Sequence, residues 1–99
     1  MRKAHVKVHI YDECDVDCEV ANVSKVEQDE VEWHSTGDAF TVDFGNYSPF
    51  QSREFQVPKG GWVSSGPVND DAPEVLYHYK IRKKGAQAMA ADPDVNVKR

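Results

Sequence analysis

The feature that most restricts this chain is a two-residue hydrophobic period, repeated in short bursts. In residues 4–11 the apolar Val6, Val8 and Ile10 share one face of an extended backbone, and His5, Lys7 and His9 share the other. Phe40, Val42 and Phe44 alternate with Thr41 and Asp43; Val75, Tyr77, Tyr79 and Ile81 alternate with Leu76, His78, Lys80 and Arg82. Aromatic and β-branched side chains in this rhythm suit a pleated surface buried on one side. A second extended segment is expected over residues 20–26 and a third over residues 30–34, with Val31 and Trp33 on one face. Shorter ones fall at Phe55 and Val57 and at residues 62–64, and Val95 and Val97 mark a last one over residues 94–98.

Turn-forming residues punctuate these bursts. Asp12-Glu13-Cys14-Asp15-Val16-Asp17, Glu27-Gln28-Asp29, Ser35-Thr36-Gly37-Asp38, Gly45-Asn46 and Pro58-Lys59-Gly60-Gly61 each interrupt the alternation, and residues 65–73 collect Gly, Pro, Asn and Asp in the longest loop. Helix-favouring residues gather only at 86–91, about two turns' worth, where an isolated helix is marginal. One turn, or a single helical turn, is expected there. Seven or eight short strands without a long helical period predict an all-β fold, an antiparallel β-sandwich. At 99 residues the chain suits one such domain over residues 1–99.

Charge narrows the partners. A formal net charge of -5 repels a phosphate backbone, and the densest basic cluster, Arg82-Lys83-Lys84, is expected at a turn, so nucleic acid is not an expected partner. No apolar run approaches the roughly 20 residues that span a bilayer, and Met1-Arg2-Lys3 leads straight into alternating sequence, so no membrane insertion is expected. A cytoplasmic location follows, or a periplasmic or secreted one if a signal peptide was removed. Sheet edges offer unpaired backbone, which leaves a monomer and an edge-mediated homodimer both open.

Three stretches in order carry a resemblance: DEVEWHSTGDAFTVDF at 29–44, VLYHYKI at 75–81 and DPDVNV at 92–97. Together they resemble the Greek-key, cupredoxin-like fold, more narrowly the small bacterial cupredoxin-like domains of unassigned function; an immunoglobulin-like sandwich is the alternative. Blue-copper members of that fold hold the metal with two histidines, a cysteine and a weak axial methionine. Laid on this chain, the early histidine position falls at about Phe40 and the cysteine position at about Ile81, no histidine follows, and Met89 alone is left of the ligand set. The resemblance therefore implies the scaffold without its copper site, and no cofactor.

Several constellations compete with bland readings. Cys14 and Cys18 pair across a turn at best, so a disulfide, half a metal site and ordinary thiols all stay open. His5 and His9 flank them on one strand face, about 13 Å apart, too far to share one ion without bending. His34 and His78 read as outward-facing imidazoles. Ser64-Ser65-Gly66 lacks the strand-turn-helix context of a nucleophile elbow. The acidic runs around Asp15 and Asp17 and at Asp70-Asp71 read as solvated surface without an EF-hand pattern. Trp33, Phe40, Phe44, Phe55, Tyr77 and Tyr79 are expected in the core. Tyr47, Phe50 and Trp62 lie in or beside loops and are the candidate binding residues, Phe50 and Trp62 serving equally as plugs for the sandwich end. No catalytic residue is assigned. The expectation is a non-enzymatic binding or scaffolding module that contacts a protein or small ligand; the alternative is a metal-binding or redox protein built on Cys14 and Cys18, assisted by His5 or His9.

Overall fold

Each burst of alternation becomes a strand, because only an extended backbone puts every second side chain into one core. The computed structural model describes residues 5–11, 16–83 and 93–99. Among them lie nine strands: β1 (His5–Ile10), β2 (Val20–Ser24), β3 (Glu30–Ser35), β4 (Phe40–Asp43), β5 (Glu54–Val57), β6 (Trp62–Ser64), β7 (Leu76–His78), β8 (Lys80–Lys83) and β9 (Asp94–Lys98). No helix occurs among the described residues, so none is long and apolar enough to cross a membrane.

The strands form three hydrogen-bonded ladders, ordered β1-β3-β6, β2-β9-β7 and β5-β4-β8. The last two meet along one line of chain. Residues 76–83 run nearly continuously through Tyr79, pairing with β9 in the first half and with β4 in the second. They thereby make a single layer that faces the β1-β3-β6 layer across the core.

Trp33 of β3 anchors that core. Its ring meets Phe44, Phe50, Phe55 and Tyr79 with centroids 6.1, 6.4, 5.1 and 5.6 Å away, so side chains from both layers converge on one indole. Val8, Ile10, Val23, Val31, Val42, Val57, Ile81, Val95 and Val97 complete it. The six aromatic side chains expected inside are all buried.

Strand direction departs from the expectation. The sheets are mixed rather than wholly antiparallel: β1 pairs with β3 and β2 with β9, both in parallel, while β3-β6, β4-β5, β4-β8 and β7-β9 are antiparallel. The cause is the connectivity. β2 crosses to the other layer, so β3 returns beside β1 running the same way, and a period of two residues carries no information about direction. The long strand expected at residues 75–81 is also divided, at Tyr79, which raises the strand number to nine. Arg82 and Lys83 lie in β8 rather than at a turn. Arg82 Nη2 donates to Asp43 Oδ2 at 3.0 Å and lies 3.4 Å from Glu54 Oε2, and Lys83 Nζ pairs with Asp38 Oδ2 at 2.8 Å, so carboxylates of β4, β5 and the loop before β4 engage both side chains. The helix-favouring residues 86–91 lie outside the described residues.

Two turns are fixed by local chemistry. Between β2 and β3, the Ser24 N–H donates to Asp29 Oδ2 (2.9 Å), the Glu27 N–H donates to Ser24 Oγ (3.2 Å), and Gln28 takes a left-handed φ of 58°. In the Pro58-Lys59-Gly60-Gly61 turn, Gly60 has φ of 63° and its N–H donates to Gly37 O at 2.9 Å. A Cβ on Gly61 would meet Pro58 Cγ at 2.8 Å.

Candidate functional site

The candidate binding residues separate. Phe50 is 3% exposed and packs edge-on against Trp33, Phe44 and Phe55, so it belongs to the core and offers no face to a partner. Tyr47 and Trp62 are 79% and 54% exposed. They stand on different surfaces, each beside a cleft.

The Tyr47 cleft opens where β4 ends. Beyond Asp43 the chain turns away through Gly45 (φ 69°), whose N–H donates to Asp43 Oδ1 at 2.8 Å, and among the described residues β7 is the edge strand of its ladder. The resulting hollow of about 520 Å³ is lined by Phe44, Asn46, Tyr47, Val75, Leu76, Tyr77 and His78. Val75 and Leu76 are half exposed there. Val97 N–H donates to Val75 O and Tyr79 N–H to Pro93 O, so the odd-numbered residues of this strand turn their peptide groups toward β9. In an antiparallel strand the alternate residues then point the opposite way, so the peptide groups of Leu76 and His78 face the hollow. Apolar side chains and strand-edge hydrogen-bonding groups thus share one opening. The pattern of residues 75–81 places Leu76 opposite the buried Tyr77, but the loss of β4 as a neighbour, which makes this edge reachable, is a tertiary event.

Trp62 sits on the outer face of the other layer. In register across three strands, the rings of His9 (β1), His34 (β3) and Trp62 (β6) stack in a row, with centroid separations of 5.2 and 5.9 Å. Carboxylates flank the row. His9 Nδ1 lies 3.1 Å from Asp17 Oδ2, His34 Nε2 lies 3.2 Å from Glu32 Oε1, and His5 Nδ1 lies 2.8 Å from Glu32 Oε2. His34 is therefore half-buried between two rings rather than a freely solvated imidazole. His78, on the opposite layer, is exposed and pairs with Asp94. Behind Trp62 a second hollow of about 500 Å³ is lined by Ala39, Thr41, Gln56, Pro58 and Val63.

The remaining constellations resolve differently. Cys18 is a free thiol whose Sγ donates to Val20 O at 3.3 Å, and burial together with the neighbouring Asp17 carboxylate pushes its pKa up. Cys14 lies outside the described residues, so the pair as a whole does too. His5 and His9 engage different carboxylates on the outer face of β1. Ser65 Oγ accepts from Val31 N–H and donates to Gly66 O, and Ser64 Oγ donates to Glu30, so both hydroxyls are occupied in holding β3 to β6 and to the loop after it. Asp17 holds His9 through backbone N–H and ring. Phe40 and Ile81, at which the copper ligands of the resembled fold would fall, are both fully buried among apolar neighbours, and Met89 lies outside the described residues. Compared with known proteins, the chain matches no family model and no curated protein.

Proposed function

We propose that this protein is a non-enzymatic binding module on a cupredoxin-like sandwich without a copper site, and that its recognition surface is the hollow beside β7. The observation that carries the reading is the coincidence of Tyr47, Val75 and Leu76, all exposed, with the outward peptide groups of Leu76 and His78. That combination suits an extended apolar peptide segment, which adds as a strand by main-chain hydrogen bonds and sets alternate side chains into a pocket. The cupredoxin-like scaffold draws support from the two parallel pairs, since the immunoglobulin-like alternative is built of two antiparallel sheets. Core side chains at Phe40 and Ile81 support the copper-free reading, because neither side chain can bind a metal.

Site-specific photocrosslinking in the native host tests the surface. A photoreactive residue at Tyr47 or at Leu76 should trap the same partner, one at the exposed Lys59 should not, and Leu76→Asp should abolish trapping from position 47. Equal trapping from all three positions, or trapping unaffected by Leu76→Asp, overturns the assignment.

A further inference from the structure

We propose that Trp62 and the hollow beside it bind a neutral oligosaccharide built of flat, equatorially substituted pyranose rings. The site shares no lining residue with the hollow beside β7 and is independent of it. How the indole is set carries the argument. The rings of His9, His34 and Trp62 stack in a row that runs across the strands from β1 through β3 to β6, with successive planes 30° and 23° apart. Among the described residues β6 is the last strand of that ladder. The indole face turned away from His34 therefore looks past the edge of the layer, into the hollow that Trp62 lines.

The same row holds the indole still. Glu32 Oε1 lies 3.2 Å from His34 Nε2, and His9 backs the other face of His34 while Asp17 engages its own ring at 3.1 Å. Trp62 is thus 54% exposed yet supported by two anchored rings, and a ligand settling on it costs little side-chain freedom.

The lining of the hollow selects the ligand. None of the described residues that line it is charged, in a chain of which 29% is charged, so an ionic ligand would shed water there without gaining a counter-charge. Its volume of about 500 Å³ is that of a small-molecule site. Phe40 and Val57, both buried, lie at its base, and Thr41 and Gln56 supply polar groups. Thr41 Oγ1 donates to Gln56 Oε1 at 3.0 Å, which turns the amide so that its Nε2 hydrogens, without a partner among the described residues, are left to a ligand. A pyranose ring with equatorial hydroxyls answers both features. Its axial C–H bonds form an apolar face that lies on the electron-rich face of an indole, and its rim of hydroxyls accepts from an amide. A peptide strand is less well served, because β6 has three residues and Pro58, which has no N–H, follows the end of β5.

The test is a backbone amide NMR titration of the full chain with cellohexaose and with xylohexaose. At least one should give saturable shifts gathered at Thr41, Gln56 and Trp62. Trp62→Ala should weaken that binding by about thirtyfold or more, as loss of a central aromatic anchor does, whereas Trp62→Phe, which keeps a ring to stack on, should stay within about fivefold. Gln56→Ala should weaken it by about fivefold, and Leu76→Asp, in the other hollow, should leave it unchanged. The polyuronate made by oxidising the same glucan should bind far more weakly than the neutral chain. No saturable shift with either oligosaccharide, undiminished binding by a folded Trp62→Ala protein, equal affinity for the polyuronate, or tighter binding of a capped threonine-valine hexapeptide overturns the site.

Discussion

Trp33 and Tyr79 meet edge to face in the centre of the protein, their ring centroids 5.6 Å apart and their planes at 72°, one side chain from each layer. Trp33 comes from the middle strand of its layer, and Tyr79 stands where residues 76–83 change partners from β9 to β4. The contact therefore ties the two layers together at the point where the second layer is assembled. Both polar atoms are buried beside each other, yet among the described residues neither Trp33 Nε1 nor Tyr79 Oη reaches a regular hydrogen-bond geometry.

Truncation at this contact should be costly and removal of the hydroxyl should not. Trp33→Ala and Tyr79→Ala are each expected to lose about 3–5 kcal/mol, the range for emptying a large aromatic site in a close-packed core. Tyr79→Phe removes a buried oxygen that reaches no regular hydrogen bond among the described residues and keeps the ring, so it should gain about 1 kcal/mol. Urea denaturation midpoints measure all three. A loss on Tyr79→Phe would mean that the hydroxyl makes a bond in solution.

Burial also pushes the Tyr79 phenol well above the ordinary tyrosine value; the neighbouring Trp33 N–H opposes it, and Cys18, Asp94 and Asp17 each act with burial by less. Tyr77 shifts the same way, through burial and then through Asp71. The folded state thus keeps protons that the unfolded chain gives up above about pH 10. Stability should be fully present below that pH and fall as pH rises above it. Comparing urea midpoints at about pH 8 and pH 11 checks this, and Tyr79→Phe should flatten the dependence. Parallel losses in wild type and variant would assign the alkaline sensitivity elsewhere.

Gln28 holds a φ of 58° in the turn between β2 and β3, where a Cβ is crowded against backbone. Gln28→Gly should raise stability by about 1 kcal/mol, the left-handed penalty exceeding the extra freedom glycine gives the unfolded chain. Thermal unfolding reads the change, and a lowered midpoint would show that the Gln28 contact with Asp70 outweighs it.

The raised pKa of Cys18 bears on reactivity, since the thiolate is the nucleophile. In a Cys14→Ser protein, iodoacetamide at about pH 8 should modify Cys18 several-fold more slowly than the same protein in urea. Equal rates would place the thiol in open solvent.

The alternation of Val8 with Ile10, Val31 with Trp33, Phe40 with Val42 and Tyr77 with Tyr79 was enough to place these side chains inside, because a strand has only two faces. The Gly60-Gly61 turn was legible for a similarly local reason, a backbone conformation that only glycine adopts cheaply. The partners of each strand were not. Nothing in residues 5–10 tells β1 to lie parallel to β3 and so bring His9 beside His34, because that register depends on β2 crossing to the other layer. Nor does the sequence show β4 diverging from β7 after Asp43, which exposes Tyr47 and Leu76 together. The residues alone determined which side chains are buried and where the chain turns, both being properties of short segments. Long-range pairing decided which exposed side chains became neighbours, since two strands meet only after the chain between them has found its own layer.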